Sequence, residues 1–311
     1  MRTNSGLLIL DDYEDTDLFI KGRKNKVWLK DPETEELYLF KSGGSNYEIF
    51  AEVLAGEVAS NIGLEMASYD MATYNGEVGV VTKNFLEKGE TIFSGDLILK
   101  SATELVIENN GYNPIYRKHS IDNIMMSISI MTHGQLTDKI LEGLLKMWVF
   151  DGALMESDRN ATNWSLIRDV TYNFRLSPIY DSSTIARLNN NVSDFTKNLY
   201  DEGLLYGLTK DIKQSLSLDN EDDDENFLKQ FKRFCDTYPD YADLVIDLVK
   251  NIDIDKAINN IETRINSEKN VEFTFPYEIS FWLRKSIGMR VSDMLYIYNL
   301  SKDKTSGIKN K

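Results

Sequence analysis

The sequence predicts an α+β fold in two lobes, with strands in the first part of the chain and helices in the second. Three observations lead to this prediction. Short β-prone runs separated by turn residues fill most of the first 100 residues. From about residue 120 onward, apolar residues follow mostly helical spacing. The chain has 311 residues, 42% of them hydrophobic, which is enough for a substantial core.

The first lobe is predicted over residues 1–90 and contains several strands and one helix. Ser45 and Glu48 have the spacing of a capping box, so the helix is expected to begin there, to run to about Ile62 and to end at Gly63. Strands are predicted at residues 7–10, 26–29, 37–41, 67–74 and 78–83. Residues 31–36 and the pair Asn75-Gly76 are the expected turns.

The second lobe is predicted over residues 91–311 and is mostly helical. Its clearest helix, 136–155, is apolar on most sides and is therefore expected to be buried. A hairpin formed by residues 164–168 and 172–176 follows it. Further helices are predicted at 121–131, 225–236, 240–250, 253–267 and 276–299.

The most informative segment is Asp158-Arg159-Asn160-Ala161-Thr162-Asn163, between the long helix and the hairpin. An Asp, an Asn five residues later, a strand pair and then a further Asp, here Asp181, form the arrangement that protein kinases use for phosphoryl transfer. We therefore assign Asp158 as the catalytic base or substrate-orienting acid. Asn163 and Asp181 are the predicted Mg²⁺ ligands, because magnesium prefers hard oxygen donors. The alternative is an ordinary loop of turn-forming residues.

A kinase also needs a fixed cation for the nucleotide phosphates, and Lys41 at the end of the third strand is in the expected place. Glu52 on the capped helix is our choice for its partner, with Glu48 and Glu57 as alternatives. The basic segment 21–26 is predicted to cover the phosphates. ATP is expected between the lobes, against the connecting residues Lys83, Asn84 and Phe85. The predicted fold is thus protein-kinase-like.

Composition excludes several other classes of function. The net charge of −15 argues against direct nucleic-acid binding as the main activity. No apolar run approaches about 20 residues, so we expect no membrane partner. One cysteine, Cys235, rules out an internal disulfide framework and suits a cytoplasmic location. Two histidines are too few for a zinc site built on the usual ligand patterns.

These motifs resemble those of the HipA-like serine/threonine kinases, in particular their compact, CtkA-like branch. The matching segments are 38–41, 48–64, 79–85, 158–163 and 177–183, in the order of that family. The resemblance implies ATP and Mg²⁺ as cofactors, with Lys41 at the phosphates, Asp158 in catalysis and Asn163 and Asp181 at the metal. Two departures stand out. Asn160 replaces a histidine common in relatives, and Asp181 is followed by Ser-Ser instead of Phe-Gly.

The resemblance implies transfer of phosphate to Ser or Thr hydroxyls of a protein substrate, together with autophosphorylation. The predicted phosphate loop lacks a recognisable autophosphorylated serine, so Ser42 and Ser45 are the candidate acceptors. The family also makes the toxin of a toxin–antitoxin pair a candidate role, with a translation component as target and an antitoxin protein as partner. Two alternatives stay open: a nucleotide-binding pseudokinase that acts as an interaction module, and a kinase acting on a lipid or small molecule.

Overall fold

The computed structural model of the chain describes residues 7–18, 25–42, 45–110, 119–135, 138–187, 201–210, 212–220, 225–266 and 277–309. It confirms the predicted α+β fold, because a curled sheet forms the N-terminal region and helices dominate the C-terminal region. Within the described residues, no helix is both long enough and apolar enough to cross a membrane.

The N-terminal sheet has six strands in the order β1-β5-β6-β4-β3-β2. Neighbouring strands are antiparallel except β1 and β5, which are parallel. The strands are β1 (Leu8–Ile9), β2 (Glu14–Asp15), β3 (Asn25–Lys30), β4 (Leu37–Ser42), β5 (Tyr69–Tyr74) and β6 (Glu77–Lys83). At the predicted β5–β6 turn, Asn75 and Gly76 both have positive φ, as a tight two-residue hairpin requires.

The two faces of this sheet have different roles. Directly paired residues share a face, so Lys41, Val80 and Met71 point to the same side. Helix α1 (Asn46–Asn61) covers this side. The opposite side carries a small separate core of Leu10, Leu29, Phe40, Ala72 and Val81.

The boundaries of α1 follow the local signals in the sequence. The Ser45 side chain accepts a hydrogen bond from the Glu48 amide, and the Glu48 side chain accepts one from the Ser45 amide, which completes the predicted capping box. Gly63 has φ +67° just after the helix, a conformation that glycine adopts without steric cost.

The C-terminal region begins with two elements that the sequence reasoning did not predict. Strand β7 (Thr91–Ser94) runs directly into helix α2 (Gly95–Asn110). β7 pairs with β8 (Ser165–Arg168), which pairs in turn with β9 (Phe174–Leu176), so the predicted hairpin belongs to a three-stranded sheet. The segment between the N-terminal sheet and the C-terminal helices is thereby hydrogen-bonded to the hairpin that follows the predicted catalytic loop.

The remaining helices form one continuous core. They are α3 (Ile121–Met131), α4 (Asp138–Leu154), α5 (Glu202–Lys210), α6 (Phe227–Thr237), α7 (Pro239–Lys250), α8 (Ile254–Asn266) and α9 (Tyr277–Lys309). Helix α4 is buried as predicted, and its Trp148 contacts the rings of Phe227, Phe231 and Phe234 on α6. Helix α5 was not predicted. Helix α8 packs against α1, which joins the C-terminal helices to the N-terminal region.

Candidate active site

Lys41 is the centre of a buried ion cluster. Its Nζ lies 3.0 and 3.2 Å from the two carboxylate oxygens of Glu52 on α1. The same Nζ lies 3.0 Å from Oδ1 of Asp181, which follows β9. Lys41 and Glu52 are almost completely buried, whereas the Asp181 side chain keeps 27% of its surface exposed. A strand, a helix and a distant segment of the C-terminal region therefore meet at one ammonium group.

Tyr69 on β5 completes this cluster. Its ring lies beneath the Lys41 ammonium, 5.1 Å from the centroid, and its hydroxyl accepts a hydrogen bond from the backbone amide of Asp181 at 3.3 Å. Burial opposes the charge on Lys41, but the carboxylates of Glu52 and Asp181 outweigh that effect and raise the pKa of Lys41. Lys41 is therefore positively charged at neutral pH.

Asp158 and Asn163 are held together within the predicted catalytic loop. The Asn163 amide nitrogen donates to the backbone carbonyl of Asp158 at 2.7 Å. The hydroxyl proton of Thr162 has two candidate acceptors, Asn160 Oδ1 at 2.6 Å and Asn163 Oδ1 at 3.2 Å. Because the shorter bond goes to Asn160, Oδ1 of Asn163 is left as an acceptor. The carboxylate of Asp158 is exposed to solvent and accepts only a bond from the Asn160 amide among the described contacts.

Arg159 ties this loop to the segment that carries Asp181. Its guanidinium is fully buried and binds Asp151 of α4 through two hydrogen bonds of 2.8 and 3.0 Å. The same group donates to the Asn163 carbonyl at 2.8 Å and to the Ser182 hydroxyl at 2.8 Å. It also donates to the Tyr180 carbonyl. The Arg159 side chain thus bonds to both segments that contain a predicted metal ligand, the one with Asn163 and the one with Asp181.

Glu156 forms a second link between the loop that contains Asp158 and the segment that contains Asp181. One carboxylate oxygen of the buried Glu156 accepts from the Asp158 amide at 2.7 Å and from the Thr184 hydroxyl, while the other accepts from the Thr184 amide. Burial raises the pKa of Glu156, and the nearby Arg159 opposes that rise. The segments that carry Asp158 and Asp181 are therefore joined in one hydrogen-bonded assembly.

The backbone before Asp181 is fixed to the N-terminal region. The Ala67 amide donates to the Ile179 carbonyl at 2.8 Å, and the Ile179 amide donates to the Glu65 carbonyl at 3.1 Å. Asp181 itself has φ +58°, a left-handed conformation that Asp and Asn tolerate better than other non-glycine residues. The carboxylate is thus placed against Lys41 by a backbone held from two sides.

The residues predicted to line the ATP site at the lobe connection separate into two groups. Phe85 stacks on Tyr180 with ring centroids 6.1 Å apart, directly beside Asp181. Lys83 lies opposite Tyr38 in the sheet, on the face away from Lys41, and its side chain pairs with Glu36. The Asn84 side chain accepts a bond from the Leu86 amide. Phe85 therefore lies against the residue that precedes Asp181, whereas the described bonds of the Lys83 and Asn84 side chains are made elsewhere.

Other predicted residues have different placements. Most of the basic segment 21–26 lies outside the described residues. Ser42 is buried, and its hydroxyl donates to Glu77. Ser45 caps α1. The two other glutamates considered as partners of Lys41 make different contacts. Glu48 belongs to the capping box, and Glu57 pairs with Arg264.

Sequence reasoning missed several residues that hold the site together. Glu156 and Tyr69 lie in ordinary-looking positions of the sequence, and Arg159 belongs to the motif but had no role assigned to it. Only tertiary contacts reveal what these three side chains do. Trp164, next to Asn163, donates from its indole nitrogen to Nε2 of His119 at 3.0 Å, and Nδ1 of His119 faces the Ser215 carbonyl at 3.2 Å. Burial lowers the pKa of His119, which favours the neutral ring that this pattern requires.

The donor set fits a nucleotide with magnesium. Asn163 offers an amide oxygen and Asp181 a carboxylate, and Mg²⁺ commonly takes one or two such protein ligands together with phosphate oxygens and water. Lys41 offers a cation for phosphate, and Asp158 offers an exposed carboxylate to an incoming hydroxyl.

Comparison with solved structures finds the same fold. The kinase CtkA of Helicobacter pylori matches with a TM-score of 0.74 and 19% identity over 96% of this chain and 99% of that one. HipA of Shewanella oneidensis MR-1, solved in a toxin–antitoxin complex with HipB and operator DNA, matches with a TM-score of 0.54 and 12% identity over 92% of this chain and 67% of that one. No curated protein matches.

The family assignment rests on the sequence itself. A model of the HipA-like C-terminal domain matches residues 18–267. This range includes Lys41, Glu52, the predicted catalytic loop and Asp181. It also agrees with the resemblance stated from the motifs and with the CtkA-like architecture. The chain belongs to the family of HipA-like C-terminal domains.

Proposed function

We propose that this protein is an ATP- and Mg²⁺-dependent protein kinase that phosphorylates Ser or Thr hydroxyls. The observation that carries the proposal is the Lys41 ammonium, held 3.0 Å from both Glu52 and Asp181. Such a cation is expected where the α- and β-phosphates bind, and the strand–helix–loop arrangement around it is that of a kinase nucleotide site. Family membership and the shared fold with the kinase CtkA support the same conclusion.

Each residue has a defined task in this proposal. Lys41 binds phosphate oxygens, and Glu52 keeps its ammonium in place. Asp158 orients the acceptor hydroxyl and accepts its proton, because its carboxylate is the exposed one in the loop. Asn163 and Asp181 would hold Mg²⁺, which neutralises phosphate charge when it is bound. Positioning and electrostatics supply most of the rate enhancement in phosphoryl transfer. A site whose side chains are fixed by many hydrogen bonds and ion pairs suits that mechanism.

A toxin role is part of the proposal. The HipA relative occurs in a complex with HipB, so an antitoxin is a reasonable partner for this chain, with a translation component as the phosphorylated protein. A cytoplasmic location would follow from that role. Autophosphorylation is included, but Ser42 is a poor acceptor because its hydroxyl is buried against Glu77.

The test is transfer of the labelled γ-phosphate from ATP to proteins of a bacterial lysate. We expect Mg²⁺-dependent labelling by the wild type and a loss of at least about 100-fold in Asp158→Asn. Asp138→Asn, which changes an exposed aspartate at the start of α4, is the matched control and should retain full activity.

The labelled products also decide between the alternatives. Phosphoserine or phosphothreonine supports the proposal. Label confined to a lipid or small molecule would show that the enzyme phosphorylates such a molecule and not a protein. Tight binding of ATP without any transfer would identify a pseudokinase that serves as an interaction module.

A further inference from the structure

The position of α1 determines whether Glu52 reaches Lys41, and α1 is held from a second side by the C-terminal helix α8. The Asn260 amide nitrogen donates to Glu57 Oε1 at 2.7 Å. The Arg264 guanidinium donates to Glu57 Oε2 at 2.5 Å. Both carboxylate oxygens of Glu57 are therefore bound by one helix that lies more than 200 positions later in the chain.

The geometry of α1 makes this contact relevant to the site. Glu52 and Glu57 are five residues apart, so they project about 140° from each other around the helix axis. Glu52 faces β4, where Lys41 lies, and Glu57 faces α8. A rotation or shift of α1 that separates Glu52 from Lys41 would also disturb the bonds of Glu57.

Arg264 reaches a second element of the N-terminal region. Its other terminal nitrogen lies 3.6 Å from Asp70 on β5, the residue after Tyr69. Arg264 therefore contacts both the helix that carries Glu52 and the strand that carries Tyr69. The Glu57 side chain is only 18% exposed, so its ion pair is less screened by solvent than a surface pair.

We propose that Asn260 and Arg264 are positioning residues: they hold α1 in the orientation in which Glu52 secures Lys41. This inference rests on the proposed kinase function for its effect on rate. It makes the C-terminal helix α8 a determinant of activity, although neither residue belongs to the Lys41 cluster itself.

The first test is a double-mutant cycle on kcat/KM for phosphotransfer. Arg264→Ala is expected to lower kcat/KM about tenfold, a typical coupling between contacting residues. In a Glu52→Gln background the same change should cost less than about twofold, because the positioning acts through Glu52. An equal loss in both backgrounds, or no loss in the wild-type background, would overturn the proposal.

Arg284→Ala is the matched control. Arg284 on α9 binds α8 through Asp255 at 2.6 Å and Glu262 at 3.4 Å, and its exposure resembles that of Arg264. Its described bonds do not include α1. The kcat/KM of Arg284→Ala should stay within about twofold of the wild-type value, because this variant loses a contact between α8 and α9 but keeps the contact between α8 and Glu57. A loss equal to that of Arg264→Ala would also contradict the proposal.

The second test does not depend on catalysis. The rate at which an amine-reactive reagent acylates Lys41 is followed by peptide mass spectrometry, with the exposed Lys83 as internal reference. Arg264→Ala should raise the Lys41 rate about fivefold or more, since local opening frees the buried amine. An unchanged rate contradicts the positioning role. Absence of phosphotransfer in the wild type would instead overturn the proposed function and leave the labelling result interpretable.

Discussion

Replacing Arg159 with lysine tests the link between the proposed catalytic loop and the Asp181 segment. Lysine keeps the positive charge but replaces a planar group that donates in several directions with a single ammonium. In the structure, the Arg159 guanidinium makes five hydrogen bonds to described residues, and the side chain is completely buried. The substitution therefore isolates geometry from charge.

The expected magnitude follows from the bonds lost. An ammonium can donate three hydrogen bonds, so at least two of the five are lost. Each hydrogen bond that involves a charged group is worth about 1.5–3 kcal/mol, which gives a destabilisation of about 3–6 kcal/mol. Phosphotransfer should fall as well, because the loop and the Asp181 segment lose their common anchor.

Urea denaturation measures this change, with Arg175→Lys as the matched control. Arg175 also binds a carboxylate with two nitrogen atoms, at 2.9–3.2 Å from Glu90, but the arginine is 40% exposed. The control should lose less than about 1 kcal/mol. A free energy of unfolding for Arg159→Lys within about 1 kcal/mol of wild type would refute the role assigned to Arg159.

Three further expectations concern residues around the site. Tyr69→Phe keeps the ring beneath Lys41 but removes the acceptor of the Asp181 amide, so kcat/KM should fall about 5- to 10-fold, and unchanged kinetics would contradict the assignment. In wild type, the lowered pKa of His119 means that the unfolded chain takes up a proton first as pH falls below about 6.5. His119 therefore contributes stability above that pH, and this contribution is lost as pH falls towards the folded pKa. His119→Gln should thus lose less stability than wild type between pH 7 and pH 5 in urea titrations; parallel curves would contradict this reasoning. Glu52→Gln should lower kcat/KM by about tenfold or more while the Asp181 contact to Lys41 persists.

Much of the fold could be predicted because its signals are local. The capping box at Ser45, the Asn75-Gly76 turn and the apolar helix α4 each depend on residues that are close in sequence. Strand β7 was missed because it has four residues and gains its stability from pairing with the distant β8. Helix α2 was missed because its apolar residues occur in short runs, which do not show a clear helical period.

The sequence indicated that Lys41 would lie near an acid of α1 and near Asp181, but it could not show what holds the surrounding segments together. Arg159 is part of the motif, yet its complete burial and its bonds to Asp151 and Ser182 depend on tertiary contacts. Three glutamates of α1 were candidates for the partner of Lys41, and the sequence could set aside one of them, because Glu48 belongs to the capping box. Glu57 could be set apart only by its contact with α8.

The most direct test of the central claim is calorimetric titration of ATP with and without Mg²⁺, in wild type and in Asp181→Asn. Asparagine tolerates the positive φ at this position, so the backbone is preserved. We expect Mg²⁺ to tighten ATP binding by about tenfold or more in the wild type and to have little effect in the variant. If Mg²⁺ strengthened ATP binding equally in both proteins, Asp181 would not be a metal ligand and the proposed nucleotide site would be wrong.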